Sequence, residues 1–322
     1  VTQTQTQAVL DPAPTDATAV AASVDVRVPR LPGVLGWARA VVLAVLGLVA
    51  LVGVWEGYKA LAPEDGVVIG EQRVLPRTTD LAMPHVWDMV QRLGEPTTSM
   101  AGADPLWRSV ADAALVSLGI AGVSWFVGTT VGLLLAVAMA RLRVLEWGLL
   151  PWIILSQTIP LIAFAPVVRS WGSRIEIGGG GGPPWLSVAV IASYLAFFPV
   201  AVGALRGLQA HSRIHADLFH VYAAGWWSTL RRVRIPSAVP YLLPALRLGA
   251  ASAVVGTVVA EVSTGYLDGI GRMLVSLAGQ ASGDPAKAWA PIFGAVALGL
   301  VAGGIVTVIG VLLRPYRRGE AR

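Results

Sequence analysis

The sequence predicts an all-α, polytopic membrane protein with six transmembrane helices and a short helical element between the fourth and fifth spans. Three observations lead there. Of the 322 residues 55% are hydrophobic and 13% are charged, roughly half the charge a soluble domain of this length carries. The apolar residues are gathered into blocks long enough to cross a bilayer, and mean hydropathy is +0.67. The basic residues between the blocks are biased: fourteen arginines fall in the segments this topology places in the cytosol, against nine lysines and arginines outside. Retained positive charge orients membrane proteins, so both termini are expected in the cytosol.

Residues 1–36, rich in Thr, Gln, Ala and Pro, have no apolar period and read as a disordered cytosolic tail without a signal peptide. The first span is 37–58, with Trp37, Trp55 and Tyr58 near its ends, where amphipathic rings prefer the interface. An external loop, 59–108, mixes acids, bases and prolines and holds one amphipathic run, Val86 to Leu93, readable as a short surface helix. The second span ends at Arg141 and Arg143, and its Gly128 and Gly132 let another helix come close. The third, Trp147 to Val168, carries Pro151, Pro160 and Pro166 beside Gln157 and Thr158. Prolines bend a span and free carbonyls, which protein or a water-lined cavity must satisfy. A glycine run, Gly178 to Gly182, follows as a flexible external loop before the fourth span, Trp185 to Leu205. The fifth span is Tyr241 to Val262, the sixth Trp289 to Leu313, and 314–322 form a basic cytosolic tail.

Several chemistries lack their residues. There is no cysteine, hence no disulfide or thiolate site. His211, His215 and His220 share one loop, far from His85, and do not form a metal pattern. No catalytic constellation is present: GxxxxGK[ST], HExxH and GxSxG are all missing, so any energy from ATP must enter through another chain. No soluble basic domain is present to bind nucleic acid.

The stretch His215 to Pro244 is the cytosolic segment that still looks structured. Asp217 is placed to cap or charge-stabilise a helix start. Leu218, Phe219 and Tyr222 share a face, Ala223 to Gly225 mark a turn, and Trp226, Trp227 and Leu230 begin a second apolar face. Pro236 is expected to break this second helix before the membrane. Taken alone, the pair could also be an interfacial anchor on lipid headgroups.

The stretch resembles the EAA loop of permease subunits of bacterial ABC importers, in which Glu-Ala-Ala is followed at fixed spacing by Gly, Ile and Leu-Pro. Its positions fall on Asp217, Leu218 and Phe219, then Ala223, then Val233, Ile235 and Pro236. Spacing is kept and only the proline is identical, with Gly225 expected to supply the freedom of the family's glycine. Ser156 to Val168 and Gly256 to Leu274 resemble segments of the nitrate, sulfonate, taurine and pyrimidine-precursor branch. The resemblance implies a five-span type I permease core over 109–313 behind an additional N-terminal span, with coupling helices at about 214–235. It implies docking of ATP-binding cassette ATPases on Asp217 to Pro236, pairing with a second permease chain and an extracytoplasmic substrate-binding protein. ATP and magnesium would be bound by the ATPase, and this chain would hold no cofactor.

Within the spans, Gln157, Thr158 and Pro160 are candidate pathway residues, although polar residues in spans also serve to bond neighbouring helices. Glu261 has two readings: a pathway or gate-supporting acid, or a carboxylate that reaches the interface or caps the following turn. The function expected is ATP-driven passage of a small organic anion or planar heterocycle across the bacterial cytoplasmic membrane. An ion-coupled secondary transporter is the alternative from another class. It would need intramembrane acids or broken helices repeated in two halves, which are not seen. A membrane scaffold without an ATPase is the other alternative.

Overall fold

A computed structural model describes residues 34–66, 68–69, 72–177, 180–211 and 213–312. The expected N-terminal tail up to residue 33 and the basic tail 314–322 lie outside the described residues. The chain divides into two units, Val1–Trp55 and Glu56–Arg322. Most of α1 (Val34–Leu61) belongs to the first. It carries no charged residue between Arg39 and Glu56, so every side suits lipid.

In the second unit the segment after α1 contains a two-residue antiparallel ladder, β1 (Val68–Ile69) with β2 (Gln72–Arg73). The expected amphipathic helix is α2 (Val86–Gly94). It does not merely lie at a surface: Met89 is buried, and α2 packs against α3 (Leu106–Arg141) and α11 (Ala290–Leu312). Glu56 holds its start, accepting the Val86 N–H at 2.8 Å and meeting His85 Nδ1 at 2.7 Å.

The core is α3, α6 (Pro184–Gln209) and α9 (Ile235–Thr264). α6 is enclosed most fully, with Val188, Ile191, Ala192, Ala196, Val200 and Ala201 shut away from solvent. Small residues set the spacing. A Cβ on Gly128 would meet Ala196 Cβ at 2.8 Å, and one on Gly132 would meet the Phe197 carbonyl at 2.8 Å. The GxxxG of the sequence is therefore a real seam between α3 and α6. Gly207 approaches Ala238 similarly on the α9 side.

Among the described residues five helices are long and apolar enough to cross a membrane. The third expected span is a pair, α4 (Arg143–Ser156) and α5 (Leu161–Gly172), bent by 102° at the break. After it the chain forms a second two-residue ladder, β3 (Glu176–Ile177) with β4 (Gly180–Gly181). The glycine run is thus partly a hairpin, with Gly178 and Gly179 outside the described residues.

Two helical boundaries correct the sequence reading. α7 runs Arg213–Val221, so Asp217 stands exposed in mid-helix and caps nothing. Pro236 does not end the second helix. α8 (Trp226–Thr229) passes through a π-helical turn, Leu230–Arg234, directly into α9, and Trp226–Thr264 counts as one span. The wide turn lets the Ile235 N–H donate to Leu230 O, five residues back. A proline has no N–H to give, and its ring crowds the carbonyl four residues earlier. Widening the preceding turn relieves that crowding. The segment before α11 holds α10 (Ile270–Ala278) and a 3₁₀ turn, Lys287–Trp289. Asp284 in it binds Arg92 Nε of α2 at 2.7 Å.

Candidate functional site

The break between α4 and α5 contains Gln157, Thr158 and Pro160. Tyr194 OH donates to Ser156 O at its edge. Tyr194 lies about ten residues into α6, hence about 15 Å from that helix's start at 1.5 Å per residue, near the middle of a ~30 Å hydrocarbon layer. Thr158 and Pro160 are exposed and Gln157 is half-buried. Their polar atoms stay local. Thr158 Oγ1 donates to Leu155 O at 2.8 Å, and Gln157 Nε2 reaches only Ser156 Oγ at 3.4 Å. Among the described residues neither bonds to another helix. Exposed irregular backbone at mid-membrane depth is stable only against protein or beside water.

Glu261, in the last turn of α9, is fully buried. Ser117 Oγ of α3 donates to Oε1 at 2.6 Å, and the Gly271 N–H donates to Oε2 at 2.8 Å. Ser117 Oγ in turn accepts the Ile270 N–H at 2.9 Å. The pair of side chains satisfies the first amides of α10, where the helix dipole favours an acceptor. Gly269 and Gly271 are required beside it, because a Cβ on either would strike the Glu261 side chain. Of the two sequence readings, the structure shows a cap on the following helix. The carboxylate stands behind the turn with both oxygens occupied.

That turn closes α9 with a left-handed Gly265 (φ 67°), whose N–H, with that of Tyr266, donates to Glu261 O. This is a Schellman ending. In front of it lies a cleft of about 370 Å³, walled by Arg169, Ser187 and Thr264 to Asp268. Arg169 Nη1 donates to Thr264 O, tying α5 to the end of α9. Burial, with the neighbouring Asp268, pushes the Tyr266 phenol above its ordinary pKa, so it keeps its proton. Arg169, Tyr266 and Asp268 were not singled out from the sequence, nor was Ser117. Their one legible signal is Gly269-x-Gly271 placed shortly after a buried acid.

At the opposite end of α6 and α9 stands α7. Ile214, Leu218, Val221 and Tyr222 are 78%, 48%, 82% and 76% exposed. At i, i+4, i+7 and i+8 they form one apolar stripe turned away from the protein. α7 ends in a second Schellman turn: Ala224 N–H donates to Phe219 O at 2.9 Å across Ala223. Ala223 has φ 48° and is the one non-glycine with positive φ among the described residues. This is the position of the loop motif's glycine. Gly225 has φ −64° and serves as N-cap of α8, so the freedom expected of it is needed two residues earlier. Beyond the turn the element is seated on α3. Arg141 lies 4.8 Å over the Trp226 ring, and Arg234 Nη1 reaches Ala140 O at 3.4 Å. Val233 and Ile235 lie in and just after the π-turn, and Val233 O accepts from Ser237 Oγ at 2.7 Å. Among the described residues no cluster of His, Cys, Asp and Glu could hold a metal.

Residues 128–315, more than half of the chain, match the model of the binding-protein-dependent transport system inner membrane component. The chain is 30% identical over 262 residues to the formylaminopyrimidine transport permease protein ThiX of Halalkalibacterium halodurans, covering 77% of this chain and 98% of that one. It is 30% identical over 135 residues to the riboflavin transport system permease protein RibX of Chloroflexus aurantiacus, covering 42% and 47%. Over 160 residues it is 25% identical to the putative aliphatic sulfonates transport permease protein SsuC of Bacillus subtilis, covering 50% and 54%. Five spanning helices and a bent pair among the described residues, and a loop element in the family's spacing, agree with that match, and the chain belongs to the family of binding-protein-dependent transport inner-membrane permeases.

Proposed function

We propose that this permease forms the passage for a small solute in an importer driven by a separate ATPase, with α7 to Pro236 as the coupling element. The observation that carries the reading is the stripe Ile214, Leu218, Val221 and Tyr222, held out at one end of the bundle. A helix of the protein's own fold turns such a stripe inward. Outward, it fits a groove on a partner. The Schellman turn at Ala223 sets the angle of α7, and Trp226 and Arg234 tie the next helix to α3. Motion of α7 therefore reaches α8 and α9 without a slack joint, as alternating access requires.

In this reading the α7 end and both termini face the cytosol, and a binding protein delivers solute at the α10 end. ATP and magnesium are held by the ATPase, and this chain holds no cofactor. The exposed break at Gln157, Thr158 and Pro160 is covered by a second permease chain or lines the passage between the two. Glu261 supports the gate by holding α10, without touching solute. The solutes of the named relatives, a formylaminopyrimidine, riboflavin and aliphatic sulfonates, define the range of candidates.

The test is co-purification with the cognate ATPase. Leu218→Asp with Val221→Asp places charge on exposed positions, so the protein's own stability should shift by no more than about 0.5 kcal/mol. Capture of the ATPase and ATP-driven uptake should be lost. Retained capture by the double variant would remove α7 from the coupling role. Vesicle binding lost in place of ATPase capture would make α7 a lipid anchor.

A further inference from the structure

The cleft at the α10 end has chemistry that distinguishes among those solutes. Arg169 uses Nη1 on Thr264 O, which holds the guanidinium at the wall and leaves Nε and Nη2 to donate. Asp268, an exposed carboxylate, lines the same cleft and forms no ion pair with Arg169 among the described residues. Tyr266 lines the same wall and offers a flat face, while its phenol, kept protonated by burial, interacts with Asp268. Ser187 is buried, lines the cleft and has an Oγ without a hydrogen bond among the described residues. A volume of about 370 Å³ is at the small end of ligand pockets.

The two formal charges cancel, and each is left with a free hydrogen-bonding edge. An organic anion that offers only acceptor oxygens would satisfy Arg169 and be repelled by Asp268. A neutral planar ring with an acceptor on one edge and an N–H on another satisfies both and stacks on Tyr266. We propose that this cleft is a solute subsite for such a neutral donor–acceptor heterocycle, of aminopyrimidine type, and that it disfavours sulfonates. The proposal rests on the importer reading for the direction of travel but not for the binding itself. Arg169 binds the acceptor edge, Asp268 the N–H edge, and Thr264 O keeps the guanidinium from closing on Asp268.

The chain has no cysteine, so Ser173→Cys at the cleft wall gives this chain a single reactive thiol. Its maleimide labelling is followed in detergent with a formylaminopyrimidine or with ethanesulfonate present. Labelling should slow several-fold with the pyrimidine and not with the sulfonate. Asp268→Asn and Arg169→Ala should each abolish protection. Arg169→Lys, which keeps a donor for Thr264 O, should retain part of it and guards against mere misfolding. Protection by ethanesulfonate, equal protection by both, or protection by neither overturns the proposal. The importer reading is scored separately by ATPase capture and ATP-driven uptake, so the two fail independently.

Discussion

The two ends of α9's neighbourhood close with the same backbone device and treat it differently. At the α10 end the left-handed position is Gly265, at φ 67°, and the buried carboxylate behind it has both oxygens occupied. At the α7 end the left-handed position is Ala223, at φ 48°, where a Cβ meets the carbonyl that follows. Nearby Arg234 has a buried Nε without a hydrogen-bond partner among the described residues, and its Nη1 bond to Ala140 O is long at 3.4 Å. Apolar side chains there face outward. At the α10 end the helix cap behind the turn is satisfied within the chain. The other end retains strain, an unmet donor and an uncovered stripe, as the proposed docking of a partner there would require. The α10 end should therefore yield large losses on mutation, and the α7 end small changes or gains in the isolated chain.

The largest effect is expected at Glu261. Glu261→Ala removes the acceptor of the buried Gly271 N–H and of Ser117 Oγ, and leaves a cavity beside two glycines. Unmet buried groups and a void together should cost about 3 kcal/mol, read as loss of thermal stability in detergent. Glu261→Gln keeps one acceptor and should lose less. If Glu261→Ala melts like the parent, the α10 end is not locked and the contrast collapses. Next in size is Gly265→Ala, which forces a Cβ into a left-handed residue and to within 3.1 Å of Arg169 Nη1. About 1–2 kcal/mol is expected, from the backbone strain alone.

What the sequence made legible follows the range of each interaction. Spans can be read because lipid requires unbroken apolar blocks, and the third reads as a bent one because Pro151, Pro160 and Pro166 lie inside it. The 102° angle could not be read, since it depends on where α5 finds packing against α6 and α9. Glu261 was legible as an acid out of place, but its partner Ser117 is 144 residues away and is one serine among many. Asp217 was read as a cap because helix starts favour acids, yet α7 begins at Arg213 and runs through it. Pro236 was read as a stop because proline ends α-helices. A π-turn ahead of it is a local escape that no spacing rule encodes. The loop motif's spacing survived the loss of its glycine because the backbone there still turns left-handed, on Ala223.

The smallest effect is also the one that tests the comparison most directly. Ala223→Gly should stabilise, against the usual sense of an alanine-to-glycine change. A left-handed alanine is strained by about 1–2 kcal/mol. Glycine removes that strain but gives the unfolded chain more freedom, which offsets about 0.4–1 kcal/mol. The net gain should be about 0.5–1 kcal/mol, felt locally. Hydrogen exchange at the amides of Tyr222 and Ala224, which donate to Leu218 O and Phe219 O, should slow about two- to fivefold. A similar gain in the ATPase complex would mean that the partner leaves the turn as it is. A smaller gain in the complex would mean that docking itself relieves Ala223, and that the strain of the free chain is part of what the partner removes. Faster exchange in the free variant would show that Ala223 does not hold the left-handed position, and would leave Gly265 as the one Schellman turn of the pair.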